Sequence, residues 1–136
     1  MRNNKYRAQA FDGTWVYGSL LQDENGKCVI IPTDYDAYTH DGALCIMTWT
    51  EVKPETVMAY SGRTCKGREI YSGDVLEEDD FHMRVVVFWE EERLKWSLRQ
   101  IGTEQTYSLG ALTQKQIDWY SIIGNIIDNP ELNKEA

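Results

Sequence analysis

Two histidines, three cysteines and 22 carboxylates among 136 residues set the range of chemistry open to this chain. Cys65 stands among Arg63, Lys66 and Arg68, whose positive field favours a thiolate. A cysteine nucleophile also needs a base, and neither His40 nor His82 is placed by sequence to serve it. Cys65 therefore reads as an ordinary loop cysteine. The surrounding stretch, Gly62-Arg63-Thr64-Cys65-Lys66-Gly67-Arg68-Glu69, has two glycines at phosphate-loop spacing. A phosphate loop places Lys after the second glycine and then Ser or Thr, where this chain has Arg68 and Glu69. The residues that follow are strand-like, so no helix N-terminus faces an anion, and a hairpin-like turn is the better account.

Asp34, Asp36, His40 and Asp41 supply oxygen and nitrogen donors that a metal would accept. Counted as an EF-hand loop from Asp34, however, the sixth position holds Thr39 instead of Gly and the twelfth holds Cys45 instead of Glu. Glu77-Glu78-Asp79-Asp80 with His82 is the densest acidic cluster, a candidate cation site or DNA-like face. Acid–base catalysis by a carboxylate pair needs one member shielded from water so that its pKa rises. Four adjacent acids in a polar loop provide no such asymmetry, and a solvated run is the plainer reading. No catalytic, cofactor-binding or metal residue is assigned, and the chain is not expected to be an enzyme.

The elements that must carry these groups are mostly strands. Thr14–Leu21 is β-branched and aromatic without helical period, and Cys28–Ile31 is a short apolar run. Asn25-Gly26 between them signals a hairpin, because both residues tolerate positive φ. Pro32–Gly42 reads as a polar loop, Leu44–Trp49 as a buried strand or a short helical piece, and Lys53-Pro54-Glu55 as a break. Gly73-Asp74-Val75 reads as a structural turn. Met83–Trp89 is apolar on both faces, as in a strand covered on both sides. After the charged loop Glu90–Arg93, Leu94, Trp96 and Leu98 alternate with Lys95, Ser97 and Arg99, predicting one dry and one wet face. Thr113-Gln114-Lys115-Gln116 has capping-box spacing for a short helix through Trp119. Tyr120–Ile127 reads as a last strand, and Asn129-Pro130-Glu131-Leu132 as a helix start. Short strands with turn punctuation predict a mostly β (α+β) protein. Residues 1–136 read as a single compact unit, a small barrel or sandwich with minor helical additions, with a β-rich lobe at 1–52 and a second lobe at 60–136.

Bulk properties narrow the function. With 42% hydrophobic residues, five Trp and eight Tyr, the chain has the composition of a folded domain. The net charge is −8; residues 1–60 carry 8 acids and 5 bases, and residues 61–136 carry 14 and 9. That balance disfavours nucleic acid as a partner, which needs a basic stripe. Cys28, Cys45 and Cys65 are too few and too scattered for a disulfide scaffold or a paired zinc site, and fit a reducing cytoplasm. The polar start Met1–Arg7 is no signal peptide, and no apolar run reaches the roughly 18–20 residues of a membrane span. An intracellular location without membrane attachment is expected.

Taken in order, several stretches resemble the YopX family of phage and prophage proteins. They are Tyr6-Arg7-Ala8, Trp15-Val16-Tyr17-Gly18, Pro54-Glu55-Thr56-Val57, Tyr60-Ser61-Gly62, Ile123-Gly124-Asn125-Ile126 and Asn129-Pro130-Glu131-Leu132. The most specific is Gly67-Arg68-Glu69-Ile70-Tyr71-Ser72-Gly73-Asp74-Val75, similar to the family's Gly-x-x-Ile-Tyr-x-Gly-Asp pattern. Arg63-Thr64-Cys65-Lys66 departs from a family turn that is richer in Asp, Lys and Asn. The resemblance implies a phage or prophage origin, an SH3-like barrel in the C-terminal lobe, self-association in the bacterial cytoplasm, and no established activity. The expectation is an oligomeric, non-enzymatic binding or assembly module with a host or phage protein partner. Tyr35 and Tyr38, with Arg63, Lys66 and Arg68, are the candidate interaction surface. The alternative is a nucleic-acid-binding accessory protein using the Arg63/Lys66/Arg68 turn.

Overall fold

A computed structural model describes residues 5–32, 37–46 and 48–134, with backbone alone for 37–39 and 44–46. The chain divides into two units, Met1–Tyr60 and Ser61–Ala136. All pairing between strands is antiparallel, so the mostly β expectation holds.

The first unit is built on β1 (Tyr6–Gln9), β2 (Trp15–Gln22), β3 (Cys28–Pro32), β4 (Ala37–His40), β5 (Ala43–Ile46), β6 (Thr50–Val52) and the start of β7 (Met58–Cys65). Its main sheet runs β6-β3-β2-β1-β7. An isolated bridge, Ala10↔Val52, and the bond from Lys53 N–H to the Gln9 carbonyl bring the β6 end back to the β1 end, so the sheet curls. Ala8, Cys28, Ile30 and Val52 form the dry interior of that curl, with Tyr6, Val16, Leu20 and Val57 packed on them. On β1 the neighbouring Arg7 is itself buried; its guanidinium lies against the Met58 sulfur at 3.2 Å and over the Trp15 ring at 5.5 Å.

Gly18 marks the tightest approach in this unit. It pairs with Tyr6 on one side and Pro32 on the other, and a Cβ there would overlap the Ile31 carbonyl oxygen. Only glycine lets these backbones come so close. The β2–β3 hairpin forms where Asn25-Gly26 predicted it, by a different device. Its loop, Asp23–Lys27, is closed by the Asp23 carboxylate, which accepts from the N–H groups of Asn25 and Lys27 at 2.9 and 2.8 Å. Gly26 takes positive φ, whereas Asn25 does not. The stretch 32–42, read as a loop, contains β4, which forms a hairpin with β5 across Asp41-Gly42, both at positive φ. Trp49, read as the end of a buried strand, lies outside β5 and is 61% exposed.

The second unit contains the rest of β7, then β8 (Arg68–Tyr71), β9 (Asp74–Glu78), β10 (Arg84–Glu90), β11 (Lys95–Gln100), β12 (Thr106–Ser108), the short helix α1 (Gln114–Ile117) and β13 (Tyr120–Asn125). β7 and β8 pair across the predicted turn, with Lys66 and Gly67 at positive φ. The other strands form a sheet of order β12-β11-β10-β9-β13. Its end strands β12 and β13 do not pair, so the barrel expected for residues 60–136 is not closed. Cys65, Ile70, Leu76, Val85, Val87, Leu98, Leu109 and Ile117 make its core. Val86 points to the other face and is still only 5% exposed within the chain itself. The tail contributes there: Arg99 of β11 donates to Asn133 in the 3-10 turn Pro130–Asn133 at 2.8 Å. A charge placed at Val86 therefore tests folding before it tests assembly.

One register expectation is overturned. Leu94 is not in the dry face of β11; it sits in the turn at positive φ and is 68% exposed. Ser97, expected wet, is fully buried, and its hydroxyl donates to the Glu90 carboxylate at 2.8 Å. A paired hydroxyl tolerates burial, and a loop apolar residue next to a strand imitates alternation. α1 carries the predicted capping box, both reciprocal bonds between Thr113 and Gln116 being made. It ends at Ile117, two residues before the predicted end, and the predicted final helix is a single 3-10 turn without a side-chain cap.

Candidate functional site

The basic turn lies entirely in the second unit, and its side chains are turned to internal partners. Arg63 donates to the carbonyls of Leu109 and Leu112 at 3.2 and 3.0 Å, holding the 3-10 turn Leu109–Ala111 to β7. Lys66 Nζ contacts the Asp79 carboxylate at 2.6 Å and the Ser121 hydroxyl at 2.7 Å, while its N–H donates to Asp118 at 2.8 Å. Arg68 donates to the Ile122 carbonyl at 3.4 Å. Hydrogen bonds from Lys66 and Ser121 hold the Asp79 carboxyl below its usual range.

Cys65 is the last residue of β7 and belongs to the core, not to a loop. Its thiol donates to the Tyr120 carbonyl at 3.0 Å. Burial pushes its pKa up, and the opposing pull of Lys66 and Arg68 does not reverse that. The surrounding positive field is outweighed by desolvation, and no imidazole is among its partners. His40 and His82 are both largely exposed, each beside a carboxylate: Asp41 at 3.4 Å and Glu77 at 3.6 Å. Among the described residues no group of three metal-ligating side chains converges. Asp34, Tyr35 and Asp36 lie outside the described residues, and only the backbone of Tyr38 is described.

The Gly73-Asp74-Val75 turn is an internal junction. Tyr71 N–H donates to the Asp74 carboxylate at 2.8 Å, and both residues are buried. Gly73, at φ +87°, donates to the Val87 carbonyl and accepts from Ile126 N–H. One turn thus ties β8, β9 and β10 to the chain just beyond β13.

What this framework leaves open is at the β9–β10 turn. Asp79 N–H donates to the Trp119 carbonyl, and Glu78 pairs with Tyr120, which brings the residue before β13 beside the end of β9. Phe81, in the turn, is 84% exposed and Trp119 is 54% exposed. With Glu78 and Asp80 they line a cavity of about 270 Å³. Phe81 also borders a more open hollow of about 740 Å³ with Glu77, His82, Met83, Arg84 and Ile101. Glu78 accepts from Phe81 N–H at 3.3 Å, and its charge adds to burial in raising the Tyr120 pKa. Asp80 makes no hydrogen bond or ion pair to a described residue. The sequence carries one local sign of this site, an aromatic residue, Phe81, placed directly after four acids.

In the first unit, Leu21, Val29, Ile31 and Trp49 line a small apolar cavity of about 270 Å³. No described helix is long and apolar enough to cross a membrane. A search of curated proteins returned no match. The family model described as YopX protein matches residues 5–134, and its span includes the Gly18 crossing, the basic turn, the Asp74 junction and the aromatic–acidic cavity. The chain belongs to the YopX family.

Proposed function

We propose that the protein is a non-enzymatic, oligomeric binding or assembly module of phage or prophage origin, acting in the bacterial cytoplasm. The observation that carries this reading is the cavity at the β9–β10 turn, where Phe81 and Trp119 stand exposed beside Glu78 and Asp80. Exposed aromatic rings at a concave site are the common anchors of protein recognition. An SH3-like layout of the second unit, with its open five-stranded sheet, belongs to the same proposal.

A protein partner is favoured over nucleic acid because Arg63, Lys66 and Arg68 are engaged by carbonyls and by Asp79. Such groups would have to leave internal partners before reaching phosphates. The test is a tagged pull-down from bacterial lysate with and without nuclease, together with the mass of the pure protein by light scattering. A stoichiometric protein that survives nuclease, on an oligomeric bait, supports the reading. Recovery of nucleic acid, with any protein lost on nuclease treatment, overturns it in favour of the basic turn.

A further inference from the structure

We propose that the cavity lined by Glu78, Asp80, Phe81 and Trp119 receives a single cationic side chain, arginine or lysine, from a basic segment of a protein partner. This rests on the binding-module reading and names the chemistry of its partner. At about 270 Å³ the cavity falls just below the ~300–1,000 Å³ typical of pockets for whole small ligands, and suits one long side chain. Its walls combine two aromatic rings with two carboxylates. Ring faces attract a cation through their quadrupole, and carboxylates supply the counter-charge. A carboxylate ligand or a phosphate would meet repulsion from Glu78 and Asp80.

The nearby acids are not equivalent. Asp79 is held by Lys66 and Ser121, and Glu77 is paired with Arg84 at 3.0 Å. Glu78 keeps only an N–H donor from Phe81, and Asp80 makes no bond to a described residue. The two carboxylates without an ion pair to a described residue are therefore the two that line the cavity with the rings. The net charge of −8 adds long-range attraction for a basic segment.

The experiment is a titration of the ¹⁵N-labelled full chain with N-acetyl-tetraarginine amide, N-acetyl-tetralysine amide and N-acetyl-tetraglutamate amide at low and physiological salt. The expected result is saturable shifts centred on the Trp119 indole N–H and the Phe81 and Asp80 amides with the basic peptides, and none with the acidic one. Phe81→Ala and Trp119→Ala should each weaken binding by roughly two- to fivefold, the weight of one exposed cation–ring contact. Asp80→Asn should weaken it and flatten its salt dependence. All three side chains are exposed or lie in a turn, and the variants' own spectra report whether they fold. Shifts as large at Glu90–Glu92 as at Glu78–Asp80, or unchanged affinity in both ring variants, would overturn the proposal as general acidity alone. A lysate partner retained by the Phe81→Ala/Trp119→Ala double variant also overturns it, while leaving the binding-module reading intact. No partner and no peptide binding overturns both.

Discussion

Replacing Asp74 with Ala tests whether the most family-specific stretch is there for folding. Its carboxylate accepts from the Tyr71 amide at 2.8 Å, at a place where Asp74 is 1% and Tyr71 3% exposed. Removing it takes away the carboxylate to which this buried amide donates, at a place where water does not replace it. Orphaning a buried donor costs about 1–3 kcal/mol, and a charged acceptor puts the loss in the upper half of that range. The expected loss is therefore about 2 kcal/mol. For a chain of this length that is a fall in Tm on the order of 10 °C. Asp74→Asn keeps an oxygen acceptor in place and should lose about half as much. Urea unfolding followed by tryptophan fluorescence measures both, with the exposed Asp80→Ala as a control expected within about 0.5 kcal/mol of wild type. An Asp74→Ala protein as stable as that control, with an unchanged m value, would refute the account of the turn as a structural junction.

Gly18→Ala should cost about 3 kcal/mol, the upper end of what overpacking usually costs, because the new Cβ meets backbone on β3 and no side chain can swing aside; calorimetry showing a loss under 1 kcal/mol would contradict the crossing geometry. Stability should fall on the alkaline side. Burial raises the folded pKa of both Cys65 and Tyr120, so their contribution is complete below the unfolded values of about 8.5 and 10 and is lost as pH rises through the folded values. Thermal melts between pH 7 and 10.5 should show the decline, and Cys65→Ala should remove its first part; a flat profile in wild type would contradict the burial. Asp79 has the opposite sign. Its lowered pKa means that the Lys66 tether is lost only as pH falls below the ordinary carboxylate range, and Asp79→Asn should blunt that acid-side loss in the same melts.

The fold was legible wherever the signal was local. β10 shows its apolar run, α1 its capping box, and the β7–β8 turn its glycine, each within a few residues. The β4–β5 hairpin was equally legible, through Asp41-Gly42, yet the polar residues around it masked that pair as loop. Leu94 misled because a turn residue at positive φ happened to continue the alternation of β11. The candidate site was hidden for a different reason. Sequence displays Arg63, Lys66 and Arg68 as a charged cluster, but their acceptors lie at Leu109, Leu112, Asp79 and Ile122. Nothing local says that a cation is already spoken for. Likewise Phe81 and Trp119 meet only because β13 pairs with β9.

The tethering of the basic turn has a consequence for proteases. Trypsin cuts after lysine and arginine, but only when several residues around the bond can be drawn out into an extended strand. At Arg63, Lys66 and Arg68 that requires breaking the bonds to Leu109, Leu112, Asp118, Asp79, Ser121 and Ile122 together. Arg93 sits in the exposed β10–β11 turn, held by one contact to Glu90 at 3.2 Å. This close-set run of cleavable residues is thus guarded, and a nick at Arg93 would come before any within it, leaving a clipped chain whose fragments stay together through β10 and β11.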